Sequence, residues 1–157
     1  MNGFNSPIPM MDYYDEELAE PISSTKRVLL VEDDPLVRAL TGAMLNSHGW
    51  QVFNAGCADE AARLFGFCRR RQIPLSAVLL DMVLPGGMTG VETLAILREL
   101  DPTVPVIATS GYFEHDAMKR CLAAGFDDIL AKPYSSRQLC EKVDRLARLT
   151  EGVTNSM

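Results

Sequence analysis

At 157 residues, with 47% hydrophobic and 23% charged positions, the chain is long enough for one globular core and holds no apolar run of membrane-spanning length. The formal net charge is −6, and residues 1–25 contribute five acids (Asp12, Asp15, Glu16, Glu17, Glu20) and no base, which leaves the body near −1 and argues against nucleic acid. That opening stretch has Pro7, Pro9 and Pro21, lacks periodicity and carries no apolar core segment, so it reads as a disordered acidic tail and not as a secretory signal.

The body alternates strands and helices. Val28–Val31 is a continuous apolar run of strand length ending in Glu32-Asp33-Asp34. Pro35 then stands at a first helical position behind Asp34 as cap, and Leu36, Leu40, Met44 and Leu45 mark one face up to Gly49. Trp50–Ala55 alternates as a second strand, and residues 59–71 carry Ala62, Phe65 and Arg69 at helical spacing. Ala77–Leu80 is a third strand, closed by Asp81. Val91, Leu94, Ala95, Leu97 and Arg98 continue helically to Asp101-Pro102. A fourth strand spans Val104–Ala108 before Thr109-Ser110, and residues 115–124 form a helix stopped by Gly125. Ile129-Leu130 is a short fifth strand before Lys132-Pro133. Ser135-x-x-Gln138 reads as a capping box, and Leu139, Val143, Leu146 and Leu149 as the inner face of a last helix.

Strands buried on both faces and joined by helices require an α/β domain with helices on both sides of a mostly parallel sheet. In such sheets ligands bind at the carboxyl ends of the strands. Glu32, Asp33, Asp81, Ser110 and Lys132 all fall there. Three carboxylates on neighbouring strands would repel unless a cation sits among them, and Mg²⁺ suits one or two protein carboxylates completed by water and phosphate. A lysine supplies countercharge, and a serine hydroxyl can donate to a phosphoryl oxygen.

Four blocks carry a resemblance: Val28-Leu29-Leu30-Val31-Glu32-Asp33-Asp34, Leu80–Gly90, Ala108-Thr109-Ser110-Gly111 and Lys132-Pro133. In order and spacing they resemble the receiver domain of two-component response regulators. The resemblance covers about residues 26–149, between the tail of residues 1–25 and a short tail of residues 150–157. It implies a flavodoxin-like, doubly wound sheet of five parallel strands in order 2-1-3-4-5, with five helices on both faces. It further implies that Asp81 accepts a phosphoryl group from a sensor histidine kinase or a histidine phosphotransfer protein. Asp33, Asp81 and the Val83 backbone carbonyl would hold Mg²⁺, Glu32 would act through a metal-bound water, Ser110 would bind the phosphoryl group, and Lys132 would pair with it. A cis Lys132–Pro133 bond is expected. On this reading the chain is no enzyme beyond catalysing its own phosphorylation and dephosphorylation.

Some positions depart from the family pattern. Glu32 stands where Asp is at least as usual, and the loop Pro85–Gly90 is one residue longer than the commonest form, as in receivers of hybrid sensor kinases. Ile129 replaces the switch aromatic, which makes Tyr112 and Tyr134 candidate substitutes. His115-Asp116-x-x-Lys119 faintly echoes a phosphoacceptor histidine but lacks the following proline, and reads as a polar surface.

The expected output is a protein contact with an unknown downstream partner, or a relay step, because residues 150–157 are too few for a further module. The fourth and fifth helices are the candidate homodimer surface. Cys57, Cys68, Cys121 and Cys140 have no metal spacing and read as thiols of a reducing, cytoplasmic compartment. A non-phosphorylated interaction scaffold of the same fold is the alternative. A haloacid-dehalogenase-type phosphatase would need a second Asp where Val83 stands.

Overall fold

The structure is a computed structural model that describes residues 26–154, with side chains to Thr150. Among the described residues five strands alternate with five helices: β1 (Lys26–Val31), α1 (Pro35–Ser47), β2 (Trp50–Ala55), α2 (Ala58–Arg70), β3 (Ala77–Asp81), α3 (Gly90–Leu100), β4 (Val106–Ser110), α4 (Ala117–Ala124), β5 (Asp128–Ala131) and α5 (Ser136–Thr154). The strands form one parallel sheet in order β2-β1-β3-β4-β5, as expected. The acidic tail expected over residues 1–25 lies outside the described residues. The tail expected from residue 150 begins instead as helix, since α5 continues to Thr154.

Period-two alternation divides the core between the two faces of the sheet. Val28 and Leu30 of β1 point to one side, with Leu79, Ile107, and Leu139 and Val143 of α5. Leu29 and Val31 point to the other, with Leu80, Ala108, Phe65 of α2 and Leu94 of α3. Neither face meets water, which is why the central strands read as unbroken apolar runs. At the edge where the strands begin, Trp50 is buried, its indole donates to Asp144 of α5 at 3.1 Å, and the Lys26 ammonium lies 5.5 Å from the ring centroid.

The helix boundaries follow local chemistry. Asp34 accepts from the amides of Leu36 (2.8 Å) and Val37 (3.1 Å), capping α1 as expected. Gly125 ends α4 at φ 106°, a left-handed conformation that favours glycine. The Ser135 hydroxyl accepts from the Gln138 amide, and the Gln138 side chain accepts from the Ser135 amide, so the capping box forms. The four cysteines are free thiols, and burial pushes Cys68 up to about 11.

Helical spacing does not by itself give the buried face. On α1 the inward residues are Thr41, Gly42 and Leu45, while Leu36 is 77% exposed and Leu40 is also exposed. On α2 the inward face is Ala61, Leu64, Phe65 and Cys68, so Arg69 is on the surface and Ala62 is only half-buried. Val91 and Ala95 of α3 and Leu149 of α5 are likewise exposed. On α1 and α5 apolar residues at plausible spacing, Leu36, Leu40 and Leu149, point outward, because the sheet sets the azimuth of each helix.

The loop that leads into α3 is held closely against β3. A side chain built at Gly90 would lie 2.8 Å from the Met82 Cα and 3.1 Å from the Asp81 carbonyl oxygen. Only glycine fits without moving the backbone beside Asp81. Gly90→Ala is expected to lower unfolding stability by about 1–3 kcal/mol, the range for overpacking, in urea denaturation. A variant as stable as the parent chain would show that this loop can relax.

Candidate functional site

The first crossover leaves β1 toward β2, whereas β3 lies on the other side of β1, so connections diverge between β1 and β3. Parallel register brings Val31 opposite Leu80. The next residues along each strand are therefore Glu32 and Asp81, and the sequence delivers two acids to one point by strand length alone. Asp33 follows. Carboxylate oxygens of Glu32, Asp33 and Asp81 all lie within 4.8 Å of one another. Glu32 is 3% exposed and Asp81 5%, while Asp33 faces solvent.

Lys132 follows the end of β5 and crosses over to this cluster. Its ammonium donates to Glu32 Oε2 at 2.5 Å and to Asp81 Oδ2 at 2.9 Å. Its backbone amide donates to the Ser110 carbonyl at 2.8 Å, and the Lys132–Pro133 bond is cis, as expected. Burial raises the Glu32 pKa, with the Lys132 contact opposing it and the nearby Asp81 adding to it. Burial alone would lower Lys132, but its bonds to the two acids outweigh this and hold it above the ordinary lysine value. Lysine therefore supplies the countercharge among these acids.

The remaining groups are arranged around that triad. The Val83 amide donates to Asp81 Oδ1 at 3.0 Å, leaving Oδ2 toward Lys132. The Asp34 amide donates to Glu32 Oε1 at 3.2 Å. Ser110 is buried at the end of β4, where its hydroxyl donates to the Tyr112 carbonyl at 2.9 Å and accepts from the Tyr112 amide at 3.2 Å. Val83 and Tyr112 are both exposed beside the cluster. Ile129, at the position of the expected aromatic, is half-buried and packs against the core. Tyr134 is not a free aromatic arm, since its hydroxyl is 2.7 Å from that of buried Thr41.

Two contributors were not among the expected site residues. The Arg38 guanidinium on α1 donates to the Glu32 carbonyl at 2.7 Å and fixes the acid-bearing turn. No local signal marks it. Thr89 and Glu92 make a reciprocal capping box at the start of α3, and the Thr89-x-x-Glu92 spacing was legible.

The model of the response regulator receiver domain matches residues 28–144. The chain belongs to this family. Among relatives, this receiver is 36% identical over 126 residues to the transcriptional regulatory protein AruR of Pseudomonas aeruginosa, covering 78% of the present chain and 49% of that one. The chain spans about half the length of the curated relatives it first matches. Among solved structures, a CheY-like receiver domain protein from Methanospirillum hungatei superposes with TM-score 0.71 at 29% identity, over 81% of this chain and 97% of that one. The receiver domain of sensor histidine kinase PA1611 from P. aeruginosa gives TM-score 0.67 at 30% identity, over 78% and 97%. That structure is described with a magnesium ion coordinated in its active site cleft. Among the described residues of this receiver, no helix is long and apolar enough to cross a membrane.

Proposed function

We propose that Asp81 is the phosphoacceptor of this receiver and that its donor is the phosphohistidine of a sensor histidine kinase or histidine phosphotransfer protein. The observation that carries this is the convergence of the Lys132 ammonium on Asp81 Oδ2 and Glu32 Oε2 within a group of three carboxylates. A structural ion pair needs one acid. Three acids with one base leave excess negative charge that a hard divalent cation would neutralise, and the all-oxygen donor set fits Mg²⁺. Asp33, Asp81 and the Val83 carbonyl would hold the ion, with Glu32 acting through a bound water. When bound, Mg²⁺ supplies charge neutralisation for the phosphoryl oxygens.

In the transfer, an Asp81 carboxylate oxygen forms the new bond to phosphorus as the phosphorus–nitrogen bond breaks, and the electron pair stays on the imidazole. The Lys132 ammonium is already 2.9 Å from the attacking carboxylate and balances charge on the oxygens around phosphorus. Ser110 must give up its bond to the Tyr112 carbonyl to donate to a phosphoryl oxygen, and that exchange releases the Tyr112 turn. Phosphorylation so shifts a two-state loop and changes the neighbouring surface. The output would be a protein contact or onward transfer in a relay, with α4 and α5 as the candidate surface for a second copy. The domain would catalyse its own phosphorylation and dephosphorylation and no other turnover.

Incubation with acetyl phosphate and Mg²⁺, followed by intact-mass measurement and peptide mapping, tests the proposal. One added phosphoryl group on Asp81, removed by hydroxylamine as an acyl phosphate should be, supports it. No gain under these conditions or with a kinase supports the scaffold reading instead. The bulk of Val83 and Tyr112 beside the site should also impede water and make self-dephosphorylation slow. Replacing both by serine is expected to speed hydrolysis on the order of tenfold, about 1.4 kcal/mol of barrier. A half-life of seconds in the parent protein would contradict the shielding.

A further inference from the structure

Lys132 is anchored on both sides of its own backbone. Its amide is bonded to the Ser110 carbonyl at 2.8 Å, and two residues on, the Tyr134 hydroxyl meets Thr41 Oγ1 at 2.7 Å. Thr41 occupies the inward face of α1, and Tyr134 packs against the core cluster that includes Leu30, Leu45 and Leu139. That helix is also the element that grows from the acid pair: Asp34 caps it, and Arg38 on its first turns holds the Glu32 carbonyl. The Lys132 ammonium returns to Glu32. A closed circuit results, running from Glu32 through α1 to Thr41, across to Tyr134, and back through Pro133 and Lys132 to Glu32. Packing alone does not call for this pair, because a phenylalanine and a valine would fill nearly the same volume without placing a hydroxyl on the buried Thr41 or the half-buried Tyr134.

We infer that Tyr134 is a positioning residue: its hydroxyl bond to Thr41 fixes the loop bearing Lys132 relative to α1 and the acid cluster, so that the amine is aimed before a phosphoryl group arrives. The inference rests on the phosphoacceptor reading for its kinetic consequence, but its geometric content is independent of it. Pre-aimed groups accelerate transfer because no search precedes the reaction, and sub-ångström loosening remote from the chemistry is felt in the rate. The bond joins residues that share no element, so no local rearrangement can replace it.

Tyr134→Phe, Thr41→Val and the double variant separate this from a merely structural role. At saturating Mg²⁺ and acetyl phosphate, each single variant is expected to phosphorylate about tenfold more slowly, with the Mg²⁺ concentration for half-maximal rate unchanged. The double variant should be no slower than either single one, since both remove the same bond. Thr41→Ser, which keeps the hydroxyl, should restore the parent rate. The second readout is the NMR signal of the Lys132 side-chain ammonium in the metal-free, unphosphorylated protein, expected to be slow to exchange in the parent and fast in Tyr134→Phe. If the parent takes up no phosphoryl group, the phosphoacceptor reading fails while the ammonium signal still decides the positioning role. Rates within twofold of the parent, effects that multiply in the double variant, or an unchanged ammonium signal would each overturn the inference. Should Thr41→Val fail to fold, Tyr134→Phe decides alone, since it removes a single oxygen.

Discussion

Asp81→Asn is expected to take up no phosphoryl group from acetyl phosphate or a kinase, and at the same time to be more stable than the parent chain in the absence of Mg²⁺. The first effect follows from nucleophilicity, because an amide does not form the acyl phosphate that a carboxylate does. The second follows from crowding. Glu32, Asp33 and Asp81 place three carboxylates within 4.8 Å against the single ammonium of Lys132. Removing one anion relieves repulsion on the order of 1 kcal/mol, the energy of one pKa unit, while Asn can still accept from the Val83 amide. Denaturation curves should show the variant ahead without metal. Adding Mg²⁺ should stabilise the parent by mass action and the variant less, so the gap narrows or reverses. A variant less stable than the parent without metal would mean that the Asp81–Lys132 contact outweighs the crowding.

Lys132→Met should act oppositely on stability and similarly on transfer. The Lys132 side chain is 21% exposed and its partners are nearly buried, so its loss leaves buried carboxylates without countercharge. Breaking such a pair costs about 3–5 kcal/mol in general, and partial exposure places this case near the lower end. Phosphorylation should slow roughly 10²–10³-fold, as when one preorganised electrostatic donor is removed. The two losses should part on titration with Mg²⁺. A divalent cation can take over neutralisation of the acids and return much of the stability, but it cannot supply the ammonium that contacts Asp81 Oδ2, so the rate stays low. A variant that phosphorylates within a few-fold of the parent would remove Lys132 from the proposed chemistry.

The sheet was legible in the sequence because β1, β3 and β4 are buried on both faces and so carry continuous apolar runs, each ended by the polar residue that now lines the cleft. Glu32, Asp81, Ser110 and Lys132 were found by that punctuation, and the fold brings them together. The helix faces were less legible. Leu36 and Leu40 mimic an inward stripe on α1, yet Thr41 is the residue that turns inward, and its hydroxyl is satisfied by Tyr134, far away in the chain. Patterning by hydrophobicity cannot register a polar residue whose partner is supplied by another element. The same reason hid Arg38, which donates to carbonyls just beyond β1, and the partner of Tyr134.

The tryptophan at the opposite edge of the sheet has a practical consequence. Trp50 is the only one in the sequence, is enclosed by the contact with Asp144, and stands at the first residue of β2, a full strand length from the acid cluster. Its emission should therefore report loss of the α5 packing on unfolding and remain silent to occupancy of the cleft. An intrinsic optical signal of this kind lets folding be followed in the same tube at any metal concentration, uncontaminated by binding, and obliges ligand affinity to be read from a label placed elsewhere.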